Sequence, residues 1–170
     1  MKGCGKLELG RRQFLRNGLG AVGGAAAAAV PVPAAAGGRS GYPAQVLANL
    51  RDLAVNVPRD IHYPDTGSPG VVVKLGAAVP GGVGPDGDIV AYSTLCPHKG
   101  YPLAYAASDK TLNCPGHFSR FDAEKEGQQV WGHATQNLAM FRLALRPNGD
   151  IAAVGVDELI YGRIGNVLES

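Results

Sequence analysis

The chain is poor in the residues that stabilise or equip most small proteins. Its 170 residues include three Cys, four His, two Met and one Trp, and aromatic residues make up only 6%. Three Cys cannot build the multiple cross-links of a small secreted scaffold, so a disulfide framework is excluded. Charged residues are also scarce, at 18% with a formal net charge of +2, and no basic stripe of the kind that grips nucleic acid is present. The sequence holds no Ser/His/Asp set, no phosphate-cradling loop and no paired acids, so nothing in it performs chemistry on a substrate by itself. It also lacks the run of roughly 20 strongly apolar residues that a membrane-crossing helix needs. Glycine is abundant, with 25 residues, and together with the shortage of aromatics this points to a loop-rich β protein of one domain rather than a helical bundle.

The one long uncharged stretch, Asn17 to Gly38, follows Gly10-Arg11-Arg12-Gln13-Phe14-Leu15-Arg16. A pair of Arg before a mildly apolar Ala/Gly run has the form of a twin-arginine (Tat) export signal. Ala34-Ala35-Ala36 offers a small-residue cleavage site, and an uncleaved segment would serve as a membrane tether. Residues 1–36 are therefore set apart as a signal, and residues 42–164 as the folded domain, with the periplasm as its destination. Of the 16 basic residues, Lys2, Lys6, Arg11, Arg12 and Arg16 fall in the signal, against Glu8 alone among the acids, which leaves the domain slightly acidic. Cys4 precedes the apolar run and cannot be a lipoprotein acceptor. The Tat route carries proteins already folded, often around a cofactor.

Beyond the signal the pattern is one of short strands. Residues 46–50 and 54–57, the β-branched run Val71-Val72-Val73-Lys74-Leu75, and residues 88–93 read as strands bounded by Pro and Gly. Thr111-Leu112-Asn113 and residues 118–122 flank a turn. Phe141, Leu143 and Leu145 alternate on one face before Pro147-Asn148-Gly149-Asp150 turns the chain and residues 151–156 return it, a hairpin. Residues 157–161 are the one helix candidate after the signal. The expected fold is all-β, an antiparallel sandwich or barrel.

The few Cys and His are clustered. Cys96-Pro97-His98-Lys99-Gly100 and Cys114-Pro115-Gly116-His117-Phe118-Ser119 give C-x-H, fifteen intervening residues, then C-x-x-H. A structural zinc site is the alternative for any Cys2His2 set, but its knuckles usually pair like with like. Here each loop offers one Cys and one His, as a Rieske 2Fe-2S cluster requires, with two thiolates on one iron and two imidazoles on the other. The predicted ligands are Cys96, His98, Cys114 and His117, which makes the expected all-β fold a Rieske-type antiparallel sandwich or barrel with a cluster-binding subdomain. Two ferric ions, two sulfides and two thiolates sum to zero, so reduction adds an electron to a neutral centre, which favours a potential in the range of roughly −150 to +300 mV. Cytochrome bc-type proteins continue the second loop as H-G-S-x-Y, with both hydroxyls bonded at the cluster. Ser119 matches, Phe121 cannot donate, and Tyr101 and Gly116 stand where the disulfide of that group would be. His133 reads as a loop residue near the cluster, His62 as structural or exposed, and Trp131 as packing.

These residues resemble a family closely. The stretch from Cys96 to Leu103, that from Cys114 to Lys125, Gly132-His133-Ala134-Thr135-Gln136-Asn137-Leu138, and the ending Leu159-Ile160-Tyr161-Gly162-Arg163 are similar to the small Rieske subunit of bacterial arsenite oxidase. His133 departs from the Gln common there. The resemblance implies a large catalytic partner carrying molybdopterin and a 3Fe-4S cluster, where arsenite would become arsenate. It also implies delivery of electrons to a c-type cytochrome or a blue-copper protein. A related molybdenum enzyme such as iodate reductase is the alternative, because the substrate is chosen on the partner chain, and a quinol-oxidising cytochrome bc subunit is a more distant one.

Overall fold

The unbroken apolar run Val71-Val72-Val73 is the centre of the architecture, because each of its faces is buried against a different layer. Val71 and Val73, with Leu75, Val90 and Tyr92, pack toward Leu112, Phe121, Leu138 and the two cysteines. Val72, with Ile89 and Ala91, packs the other way, on Leu47, Ile61, Tyr63, Phe141 and Ile151. Strict alternation of side chains along a strand produces this division. It also explains why the run is continuously apolar and does not alternate with polar residues.

The computed structural model describes residues 42–163, and the proposed signal, its cleavage site and Cys4 lie outside the described residues. Ten strands follow in order: β1 (Gln45–Asn49), β2 (Arg59–His62), β3 (Pro69–Lys74), β4 (Ile89–Ser93), β5 (Ala104–Ala106), β6 (Thr111–Asn113), β7 (Arg120–Asp122), β8 (Gln128–Trp131), β9 (Phe141–Leu145) and β10 (Asp150–Val156). They form three antiparallel sheets, ordered β1-β10-β9, β2-β3-β4 and β5-β6-β7-β8. The first two make a base, joined where Ser93 N-H donates to Ala139 O at 2.9 Å and Tyr92 bridges to Met140. The third sheet carries the Cys/His loops. Among the described residues no helix is long and apolar enough to cross a membrane.

The all-β antiparallel expectation is met, including the hairpin of β9 and β10. Two local expectations are corrected. Residues 54–57 form no strand, since Asn56 adopts φ 64° and leaves only a bridge from Val55 to Lys74. Instead Asn56 ties the base to the ligand sheet: its Oδ1 accepts from Tyr105 Oη at 2.6 Å and its Nδ2 donates to Ala107 O at 2.7 Å. Residues 157–161 are not helical but irregular, and Asp157 Oδ1 accepts from Met140 N-H at 2.7 Å. Among the described residues the one helical element is a 3-10 turn at Leu50–Asp52, capped by the Asn49 side chain.

Phe141 is fully buried, its ring 5.3 Å from that of Tyr63 in an edge-on pair, and Gly70 offers it a face without a Cβ. Phe141→Ala is expected to lower stability by about 3–5 kcal/mol in urea unfolding, the range for large-to-small core changes. A near-neutral result would mean that the two base sheets do not depend on this contact.

Candidate metal centre

Both ligand loops are closed by the same pair of backbone bonds. In the first, Cys96 N-H donates to Tyr101 O at 2.9 Å and Gly100 N-H to Cys96 O at 2.7 Å. In the second, Cys114 N-H donates to Ser119 O at 2.8 Å and Phe118 N-H to Cys114 O at 3.2 Å. Each Cys thus opens a tight turn whose fifth residue is left-handed, Gly100 at φ 67° and Phe118 at φ 60°. Glycine meets that requirement without strain, and phenylalanine does not.

The loops project from neighbouring strand ends, the first between β4 and β5 and the second between β6 and β7. Cys96 and Cys114 are buried and not joined in a disulfide. Burial pushes the Cys96 thiol up, the adjacent Cys114 thiol adds to this, and the backbone N-H groups of His98 and Lys99, aimed at its sulfur, oppose it. The His98 and His117 rings lie edge to face, with centroids 4.7 Å apart. Burial holds His98 below the usual imidazole range, and His117, Lys99 and His133 add to that by charge.

The Nδ1 atoms of both His98 and His117 are buried and have no hydrogen-bond partner. Such atoms normally find one, because desolvating an unpaired polar group is costly. A nitrogen lone pair held dry beside a buried thiol pair suits a metal ligand. A mononuclear zinc would need the donors gathered about one point. Among the described residues, no three Cys, His, Asp or Glu are placed to hold a single ion. Separation into a thiol pair and an imidazole pair fits two metal ions with two protein donors each, the donor set of a 2Fe-2S cluster.

The remaining predicted residues also gather here. Ser119 is fully buried, and its Oγ accepts from Ala134 N-H at 2.9 Å. Gly132, at φ 92°, lies so close to the Ser119 backbone that no Cβ would fit. Both neighbours of His133 are therefore clipped to Ser119, which holds the His133 ring stacked on His98 at 5.9 Å and edge-on to His117 at 6.1 Å. Tyr101 and Gly116 do face each other across the loops, as a disulfide pair would, and the Tyr101 ring fills the space a Gly116 side chain would take. His62 is exposed on β2, away from these loops. Trp131 is not a packing residue: it is 67% exposed. The matching loop closures and the Tyr161 ring against Gly100 leave no spacing signal in the sequence.

Comparison with known proteins agrees with this geometry. The iodate reductase subunit IdrB of Denitromonas iodatirespirans is 38% identical over 161 residues, covering 93% of this chain and 86% of that protein. The subunit of the same name from Pseudomonas sp. (strain SCT) is 39% identical over 127 residues, 73% of this chain and 66% of that protein. Among solved structures, the soluble domain of Rieske protein II from Sulfolobus acidocaldarius superposes with a TM-score of 0.61 at 26% identity, over 71% of this chain and 81% of that one. Both IdrB subunits bear the name of the iodate enzyme and not that of arsenite oxidase. Residues 45–142 match the sequence profile of the Rieske 2Fe-2S domain, and the chain belongs to that family of cluster-binding proteins.

Proposed function

We propose that this chain is the electron-transfer subunit of a molybdenum oxidoreductase of the iodate reductase kind, with Cys96 and Cys114 on one iron and His98 and His117 on the other through Nδ1. The observation that carries the relay function is the pair of buried, partnerless Nδ1 atoms beside a buried thiol pair. The full-length likeness to IdrB favours iodate reductase over arsenite oxidase. Arsenite oxidase remains the second reading because of the H-F-S-x-F-D-A-x-K segment at His117 to Lys125. In either case the substrate would react on a large subunit carrying molybdopterin and a 3Fe-4S cluster, with a c-type cytochrome or a blue-copper protein as the external redox partner. The Arg11-Arg12 pattern supports export by the Tat route to the periplasm, with membrane association only if the signal is retained.

When bound, a Rieske cluster supplies reversible one-electron storage at a comparatively high potential. The chain's own residues set the conditions for it. His98 and His117 keep Nδ1 free of competing hydrogen bonds, and the N-H groups of His98 and Lys99 offset the burial of the Cys96 sulfur. The Ser119 hydroxyl, fixed by the Ala134 N-H, retains a proton to donate. Phe121 is fully buried in the core beside both cysteines and offers no such proton.

Two experiments follow. In the purified native complex, iodate should reoxidise a pre-reduced cluster, read from its visible circular dichroism, whereas arsenite oxidase would show arsenite reducing the oxidised one. Absence of a molybdenum-containing partner would sink both readings. Phe121→Tyr should raise the reduction potential by about 40 mV, the one-electron equivalent of the ~1 kcal/mol of a single hydrogen bond. An unchanged or lowered potential would count against Phe121 facing the cluster.

A further inference from the structure

The segment after β10, residues 157–163, adds no strand to any sheet, yet it is fixed to the base at three points. Asp157 takes both main-chain groups of Met140: its Oδ1 accepts from Met140 N-H at 2.7 Å, and its own N-H donates to Met140 O at 3.2 Å. Ile160 is buried in the base core with Ile61, Tyr63 and Phe141. Arg163 Nη2 donates to Asp65 Oδ1 at 2.6 Å, and the same oxygen accepts from Gly67 N-H at 2.9 Å and Ser68 Oγ at 3.2 Å.

Between these anchors stands Tyr161. It is 41% exposed, and its ring lies so close to Gly100 of the first ligand loop that no Cβ would fit there. Gly100 is left-handed at φ 67°, but that alone does not demand glycine, since Phe118 holds the matching position of the second loop at φ 60°. What excludes a side chain from the first loop is the Tyr161 ring.

Gly100 is also the junction of the contacts that shape the ligand loops. Its N-H closes the first loop on Cys96 O at 2.7 Å, and that turn aims the N-H groups of His98 and Lys99 at the Cys96 sulfur. The next residue, Tyr101, accepts from Cys96 N-H at 2.9 Å through its carbonyl. The Tyr101 ring fills the space beside Gly116 and stands edge-on to His117 at 5.7 Å. A displacement of Gly100 is therefore felt at His98 along the chain and at His117 through Tyr101.

We propose that Tyr161 is a positioning residue for the cluster: residues 157–163 form a strap, anchored on the base by Ile160 and by the Arg163–Asp65 pair, that presses the Tyr161 ring onto Gly100 and so sets the orientation of the His98 and His117 imidazoles. This goes beyond the ligand assignment, on which it rests. Groups that touch no metal but fix its ligands control both the hold on the metal and its electronic state.

The test compares the full-length holoprotein with Tyr161→Ala, Tyr161→Phe and Arg163→Gln, and takes Leu159→Ala, exposed on the same segment, as control. Three quantities are read: the electron paramagnetic resonance g-values of the reduced cluster, which follow the orientation of the imidazoles on their iron; the rate of cluster loss to an iron chelator; and the urea unfolding midpoint. Tyr161→Ala should shift the g-values and speed cluster loss roughly tenfold, the scale on which residues that orient metal ligands act. Its unfolding midpoint should stay close to that of the wild type. Arg163→Gln should move g-values and loss rate in the same direction by less, while Tyr161→Phe, which keeps the ring, and Leu159→Ala match the wild type. Wild-type g-values and loss rate in both Tyr161→Ala and Arg163→Gln overturn the proposal. So does faster loss that tracks a lowered midpoint with g-values unchanged, since Tyr161 then only stabilises the fold. A Tyr161→Phe protein that behaves as Tyr161→Ala overturns the ring contact. If Tyr161→Ala does not fold, a wild-type spectrum and loss rate in Arg163→Gln suffice to overturn the strap. If the unsubstituted holoprotein shows no imidazole-bound 2Fe-2S signal, the ligand assignment itself fails, and the positioning role with it.

Discussion

Two imidazole nitrogens buried without a hydrogen-bond partner, Nδ1 of His98 and Nδ1 of His117, are the constraint around which the ligand end of this protein is built. A side chain free to rotate would turn such an atom toward water or a donor. Here the surroundings prevent it. His133 stacks on one ring, Tyr101 stands edge-on to the other at 5.7 Å, and the backbone bonds closing each loop hold the His positions in place. Metal coordination uses the same lone pairs that the fold keeps dry.

Cross-loop organisation is achieved without a covalent link. Where cytochrome bc-type relatives have a disulfide, Tyr101 lies on Gly116, and the loop holding Gly132 to Ala134 is pinned to Ser119 on both sides of His133. Below them, Leu112 and Phe121 bury the ligand sheet on one face of β3 and β4, while the other face of those strands closes the base core. The cluster-binding sheet thus shares its supporting strands with the base. A disturbance of Val71 to Val73 acts on both layers.

Much of this was legible in the sequence, and the limits have physical reasons. The four candidate ligands stand out because Cys and His are rare and their spacing encodes one donor of each type per loop. The hairpin of β9 and β10 shows because Phe141, Leu143 and Leu145 alternate around a turn rich in Pro, Asn and Gly. The strands β5 and β8 escaped notice because each is short and little of its surface is buried, so neither carries a hydrophobic period. Residues 54–57 looked like a strand from composition, but Asn56 is committed to bonds with Tyr105 and Ala107 that local sequence does not announce. Trp131 reads as packing because a lone Trp is usually buried, whereas its exposure beside Phe118 depends on a tertiary arrangement. The substrate is not encoded in these loops, since an electron relay carries no record of the reaction it serves.

The central claim is that one thiolate pair and one imidazole pair hold two irons, with the imidazoles bound through Nδ1. Pulsed electron paramagnetic resonance of the reduced holoprotein, produced with histidine labelled with nitrogen-15 at Nδ1, tests it most directly. The account predicts strong coupling of two labelled nitrogens to the unpaired spin, arising from His98 and His117, with His133 not among them. Absence of that coupling, or a protein that binds one zinc ion in place of two irons, would contradict it.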